Sequence, residues 1–157
     1  MLQRVIIAID FSKPAAEGLA VAREHCPEAL MRLVTVVKPS EVAAGASGAF
    51  SAGASPLHSK DMRQAAEEKG LERLRAWAIE GEECAVVFGS APEEIARHAR
   101  EWGADLIVIG TRGRSQLVSM LSGSATEWLI RHAHVPVMVV HDVELSPSMR
   151  AKLPPGV

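Results

Sequence analysis

The chain has 157 residues, 48% of them apolar and 23% charged, with a formal net charge of -2. That supplies one buried core and is too short for two comfortable domains. The near-neutral balance argues against a nucleic-acid partner, which demands a basic face, and no apolar run approaches the ~20 residues of a membrane span.

In chain order, a first strand is expected over 4–9, where Val5-Ile6-Ile7-Ala8-Ile9 is apolar and largely β-branched. This run is too short for the apolar region of an export signal, and Asp10 interrupts it with no small-residue cleavage site beyond. A cytoplasmic location is therefore expected. Ser12 is placed to cap a helix with Pro14 in its first turn that runs to about His25, before Pro27 stops it. A second strand follows over 31–37. Residues 41–56 are small and low in charge, cannot form a core, and read as a flexible loop: either a surface spacer or a lid that orders over a ligand. A long helix over about 57–80 carries Leu71, Leu74, Trp77 and Ala78 on one face, with Gly81 as its stop. The third strand falls at 84–88, and Ser90-Ala91-Pro92-Glu93 reads as a capping box opening a helix to about Trp102. A fourth strand at 106–109 is followed by a second such box, Ser124-Ala125-Thr126-Glu127, a last helix, and a fifth strand at 137–141. Strand and helix alternate, so the fold class is α/β: a single doubly wound domain over 1–142, with a five-stranded parallel sheet and helices on both faces. Residues 143–157, with Pro147, Pro154 and Pro155, read as a C-terminal extension. Cys26 and Cys84 lack the paired spacing of a zinc or redox motif and read as bystander thiols.

Between the fourth strand and the last helix the chain passes Gly110 and Gly113 and then reaches Gly123-Ser124. Glycines let backbone N–H groups approach a phosphate, and the first turn of a helix adds unpaired donors and the positive end of its dipole. Glycines in such loops also serve turn geometry alone. The spacing is more specific. Gly110-x-x-Gly113, nine residues, then Gly123-Ser124 resembles the pattern of the nucleotide-binding members of the universal stress protein family. Val5 to Ser12, Ala104 to Gly110 and His134 to Val140 are similar to that family too, so the resemblance covers nearly the whole chain. One departure is Thr35, where family members often have histidine.

The resemblance implies strand order 3-2-1-4-5, which sets the ends of strands 1 and 4 beside one crevice, where ligands of open α/β sheets bind. It implies a nucleotide site made of Asp10, Val36, Ile109, Gly110, Gly113, Gly123, Ser124 and Ala125. The ligand would be ATP, with Mg2+ carried by the phosphates and Asp10 nearby, and no metal ligand set from the protein itself. The plain alternatives are a helix-N-terminal acid for Asp10, core for Val36, and an ordinary cap for Ser124. Arg112 and Arg114 flank Gly113 and stay outside the site set. His132 and His134 suit the negative end of the last helix better than a metal. Family members commonly dimerise through the last strand, so a homodimer across Val137–Val140 is expected, the alternative being an edge covered by the 143–157 tail.

No Walker A loop, dinucleotide fingerprint or nucleophile elbow occurs, and Asp10 is the one acid expected beside the phosphates. With no catalytic residues to name, the expectation is an ATP-binding regulatory module with slow or no hydrolysis. An ATP hydrolase or phosphotransferase, and a non-nucleotide dimeric scaffold, are the rival readings.

Overall fold

Strand β1 (Arg4–Ala8) shows how the chain makes its two layers. A strand points successive side chains to opposite faces. Val5 and Ile7 enter one apolar cluster with Leu19, Leu33 and Leu74, while Ile6 and Ala8 enter another with Val34, Ile95 and Leu129. All of these are buried. A sheet buried on both faces is what continuous apolar strands dictate.

The computed structural model describes residues 1–44, 56–111 and 123–157. Its other strands are β2 (Leu30–Val37), β3 (Glu83–Phe88), β4 (Leu106–Gly110) and β5 (Val137–Val140). They pair in parallel in the order β3-β2-β1-β4-β5, as expected. Helices α1 (Lys13–His25) and α3 (Pro56–Trp77) belong to one face, and α4 (Ala91–Trp102) and α5 (Gly123–His132) to the other.

Ser12 caps α1 as expected, its hydroxyl accepting from the Ala15 N–H at 3.3 Å. The other two capping signals resolve differently. Ser90 precedes α4, but its hydroxyl donates to the Glu93 carboxylate instead of accepting from the first turn, so two side chains satisfy each other and leave the amides open. Helix α5 starts at Gly123, which places Ser124 inside the first turn and not at the cap, and Glu127 pairs with Arg131 at 2.7 Å. Of the 41–56 stretch, Glu41 to Ala44 belong to a short helix, α2 (Pro39–Ala44), while 45–55 lie outside the described residues.

The 143–157 tail is docked. It forms a short helix, α6 (Pro147–Arg150), and lays Val143, Leu145, Met149 and Leu153 on the α1-side core. Lys152 pairs with Glu24, whose carboxylate also accepts from Ser148 Oγ at 2.8 Å, and the Lys152 carbonyl accepts from Arg23 Nη1 at 2.7 Å. Among the described residues no tail backbone group hydrogen-bonds to β5.

Candidate functional site

The strand order reverses between β1 and β4, and the chain leaves both strands at the same end of the sheet. At that end Gly110 closes β4 against the first turn of α1. A Cβ built on Gly110 would stand 1.8 Å from the Pro14 carbonyl oxygen, a distance no side chain survives. Gly18 faces it from α1, where an added Cβ would meet the Gly110 nitrogen at 3.3 Å. Packing alone thus requires glycine at 110, independently of any ligand.

Asp10 leaves β1 beside this contact. Its Oδ1 accepts from the Ser12 N–H at 3.0 Å and from the Ser12 hydroxyl. Its Oδ2 is buried and has no hydrogen-bond partner among the described residues. Orphaned buried acceptors are rare, because the lost hydration is normally replaced by a donor. Phe11 next to it has φ +62°, a left-handed conformation that bulky residues seldom adopt. Its ring is held by Trp77 edge-on at 5.4 Å and by the Arg73 guanidinium 3.7 Å from its centroid. That packing offsets the backbone strain and fixes the turn carrying Asp10.

Two clefts open from this ridge, one on each face of the sheet. On the α3 side a cavity of about 390 Å³ is walled by Asp10, Ser12, Thr35, Glu41, Lys69 and Arg73. Gly70 also lines it, and a Cβ there would press on Val86 Cγ2 at 2.8 Å, so glycine lets α3 lie close on β3. On the other side a cleft of about 720 Å³ runs between the starts of α4 and α5, lined by Lys38, Ser90, Ala91, Ser124, Ala125 and Trp128 among others. A narrow seam containing Asp10, Val36, Ala91 and Ile95 lies between them, sharing Ala91 with the larger cleft and Asp10 and Val36 with the other. Both volumes fall in the range of small-molecule pockets, about 300–1,000 Å³.

The structure therefore places Asp10 and Val36 in the seam, and Ser124 and Ala125 in the larger cleft. Val36 is 2% exposed and Ala125 6%, so each offers a sliver of apolar surface as floor. Ile109 is fully buried between β1 and β5 partners, and its side chain is core. Gly110 pairs with Val140 and borders α1. Gly123 opens α5. Gly113, Arg112 and Arg114 lie outside the described residues. Sequence reasoning did not find Ala91, Lys38 or Trp128. Trp128 carried a usable signal, standing four residues after Ser124 and hence on the same face of α5. Thr126, also in the first turn of α5, is buried with an Oγ1 that has no partner among the described residues.

His132 behaves as its position at a helix end suggests. Its Nδ1–H donates to the Trp128 carbonyl at 2.8 Å, and its ring stacks on the Trp128 indole. Among the described residues no group of three His, Cys, Asp or Glu side chains converges on a metal position. No helix among the described residues is long and apolar enough to cross a membrane.

Comparison with known proteins agrees with this architecture. The model of the universal stress protein family matches residues 1–141. Universal stress protein MJ0531 of Methanocaldococcus jannaschii is 30% identical over 144 residues, covering 89% of this chain and 82% of that protein. Among solved structures, the hypothetical protein MJ0577 of the same organism superposes with a TM-score of 0.68 at 22% identity, over 92% of this chain and 99% of that one. A universal stress protein family protein of Arabidopsis thaliana, solved with AMP bound, gives 0.59 at 20% identity over 93% and 97%.

Proposed function

The chain belongs to the universal stress protein family, and from that premise we propose that it binds an adenine nucleotide, ATP with Mg2+, as a nucleotide-responsive regulatory module with slow or no hydrolysis. The observation that carries the reading is the Asp10 carboxylate at the reversal point of the sheet, with one oxygen held by Ser12 and the other buried without a partner. A ribose hydroxyl or a hydrated Mg2+ brought in by phosphate would satisfy it. In this reading Val36 and Ala125 give apolar floor, while Gly113, Gly123 and Ser124 present backbone and hydroxyl groups to phosphate. Ile109 and Gly110 shape the crevice from below. The AMP found in the Arabidopsis relative supports the ligand class.

Asp10 is the carboxylate of the seam, and its one partnered oxygen is held by Ser12, an arrangement that supports a binding role for it. A cytoplasmic location fits the two unpaired thiols, Cys26 and Cys84. The edge strand β5, with Val137, Met138 and Val139 only half-buried, supports a homodimer in which that strand pairs with its twin.

The test is calorimetry with MgATP on the wild-type protein and on Gly123→Val. Micromolar binding is expected for the first and none for the second, whose circular dichroism should stay native. Unchanged affinity in a folded Gly123→Val protein refutes the proposed phosphate position.

A further inference from the structure

The turn that carries Asp10 is held from α3. Phe11 has φ +62°, a conformation that glycine and asparagine accept and that a bulky side chain leaves unless its surroundings hold it. The Asp10 carboxylate depends on this residue, because the bond from the Ser12 N–H to Asp10 Oδ1 at 3.0 Å closes a tight turn over Phe11. The Phe11 ring is gripped on two sides. Trp77, itself buried, meets it edge-on with centroids 5.4 Å apart, and Arg73, one helical turn earlier on α3, sets its guanidinium 3.7 Å from the ring centroid. Among the described residues Arg73 has no carboxylate partner, so the ring is what keeps the guanidinium there. Asp10, Phe11, Ser12 and Arg73 all line the α3-side cavity of about 390 Å³.

We propose that Phe11 and Arg73 are positioning residues of the nucleotide site: the clamp from α3 keeps Phe11 left-handed, and that keeps the Asp10 carboxylate in the pose that receives the ligand. The inference rests on the nucleotide-binding reading and adds to it the residues that set the pose of its acid. Two adjacent penalties support it. A strained backbone and a buried acceptor without a partner among the described residues stand side by side at Phe11 and Asp10, and strain of this kind gathers where a site is built in advance of its ligand. The clamp also has a fitting strength. An exposed guanidinium over an aromatic face shifts an equilibrium by about twofold to fivefold, enough to tilt one turn and too little to hold a fold. Because a ligand binds the fraction of molecules whose carboxylate is posed, apparent affinity follows that fraction.

The experiment is calorimetry with MgATP on the wild type, Phe11→Ala, Phe11→Asn, Arg73→Ala and Phe11→Asn/Arg73→Ala. Alanine and asparagine both remove the ring, but asparagine accepts the left-handed conformation without a clamp. Phe11→Ala should weaken MgATP about fivefold to fiftyfold, and Phe11→Asn should recover most of the loss. Arg73→Ala should cost about twofold to fivefold in the wild-type background and nothing in Phe11→Asn. Circular dichroism checks that each variant is folded, and Arg73 is exposed, so its two variants decide the question if Phe11→Ala does not fold. Equal losses in Phe11→Ala and Phe11→Asn overturn the proposal, since lost packing would then be the cause. An Arg73→Ala loss that persists in Phe11→Asn also overturns it, because the guanidinium would then be meeting the ligand itself. Wild-type affinity in Phe11→Ala overturns it while nucleotide binding stands. If the wild type binds no MgATP, the underlying reading falls and the clamp with it.

Discussion

Arg23→Leu is expected to be among the most damaging single substitutions in α1, although it touches no proposed ligand position. Arg23 is only 7% exposed. Its Nε and Nη2 bond the two carboxylate oxygens of Glu82 at 2.7 Å each, Nη2 also donates to the Trp77 carbonyl at 2.8 Å, and Nη1 donates to the Lys152 carbonyl at 2.7 Å. The pair's side chains are each 6% exposed. Removing the guanidinium leaves a buried carboxylate with the Ile79 N–H at 3.0 Å as its remaining donor, and orphans two carbonyls. Breaking a buried pair from one side costs about 3–5 kcal/mol, mostly as the desolvation of the abandoned charge. With an m-value of about 2 kcal/mol/M, the urea midpoint should fall by about 1.5–2.5 M. Arg23→Leu/Glu82→Leu removes both charges and should cost far less than the two single changes summed. A midpoint shift under about 0.5 M for Arg23→Leu, or strict additivity in the double variant, refutes the buried-charge account.

A pH dependence is expected from His98. Its Nε2 accepts from Arg32 Nη1 at 3.2 Å, since a guanidinium only donates, and Arg32 is shared with Glu83 and with the Trp102 ring 4.4 Å away. Burial, reinforced by the Arg32 charge, holds the imidazole below its ordinary value of 6.5. The unfolded chain therefore takes up the proton first, and stability should decline as pH falls from about 6.5 toward the lower folded value. Urea unfolding at pH 7.5 and 5.5 checks this: His98→Asn should flatten the difference, and an unchanged slope assigns it elsewhere. If β5 pairs with its twin as proposed, a dimeric mass is expected by light scattering at micromolar concentration, and a monomeric mass would refute strand pairing.

The strands were legible because each is a short apolar, β-branched run whose burial on both faces leaves few alternatives. Ser12 was equally local, since it caps α1 from the position its sequence neighbours set. Legibility failed where the determining contact is distant in sequence. Arg23 meets Glu82 59 residues away and Lys152 129 residues away, so no window around α1 reveals that the tail is docked. Ser90 failed for a different reason: its hydroxyl donates to the Glu93 carboxylate and its oxygen accepts no first-turn amide. At the site, Asp10 and Val36 were named through the family resemblance, and the structure sets both in the seam. The open oxygen of Asp10 and the strained Phe11 beneath it depend on three-dimensional neighbours that spacing does not encode.

The contact between Gly110 and the Pro14 carbonyl has a bearing on how members of such a family are sorted. A glycine required by packing survives in a protein that has lost its ligand as surely as in one that keeps it. Gly110 is therefore a marker of the scaffold and a poor diagnostic of binding competence. Sequences with the first glycine and without Gly123 should be filed as intact folds of unknown ligand status, and classification by nucleotide binding should weight the start of α5 over the end of β4.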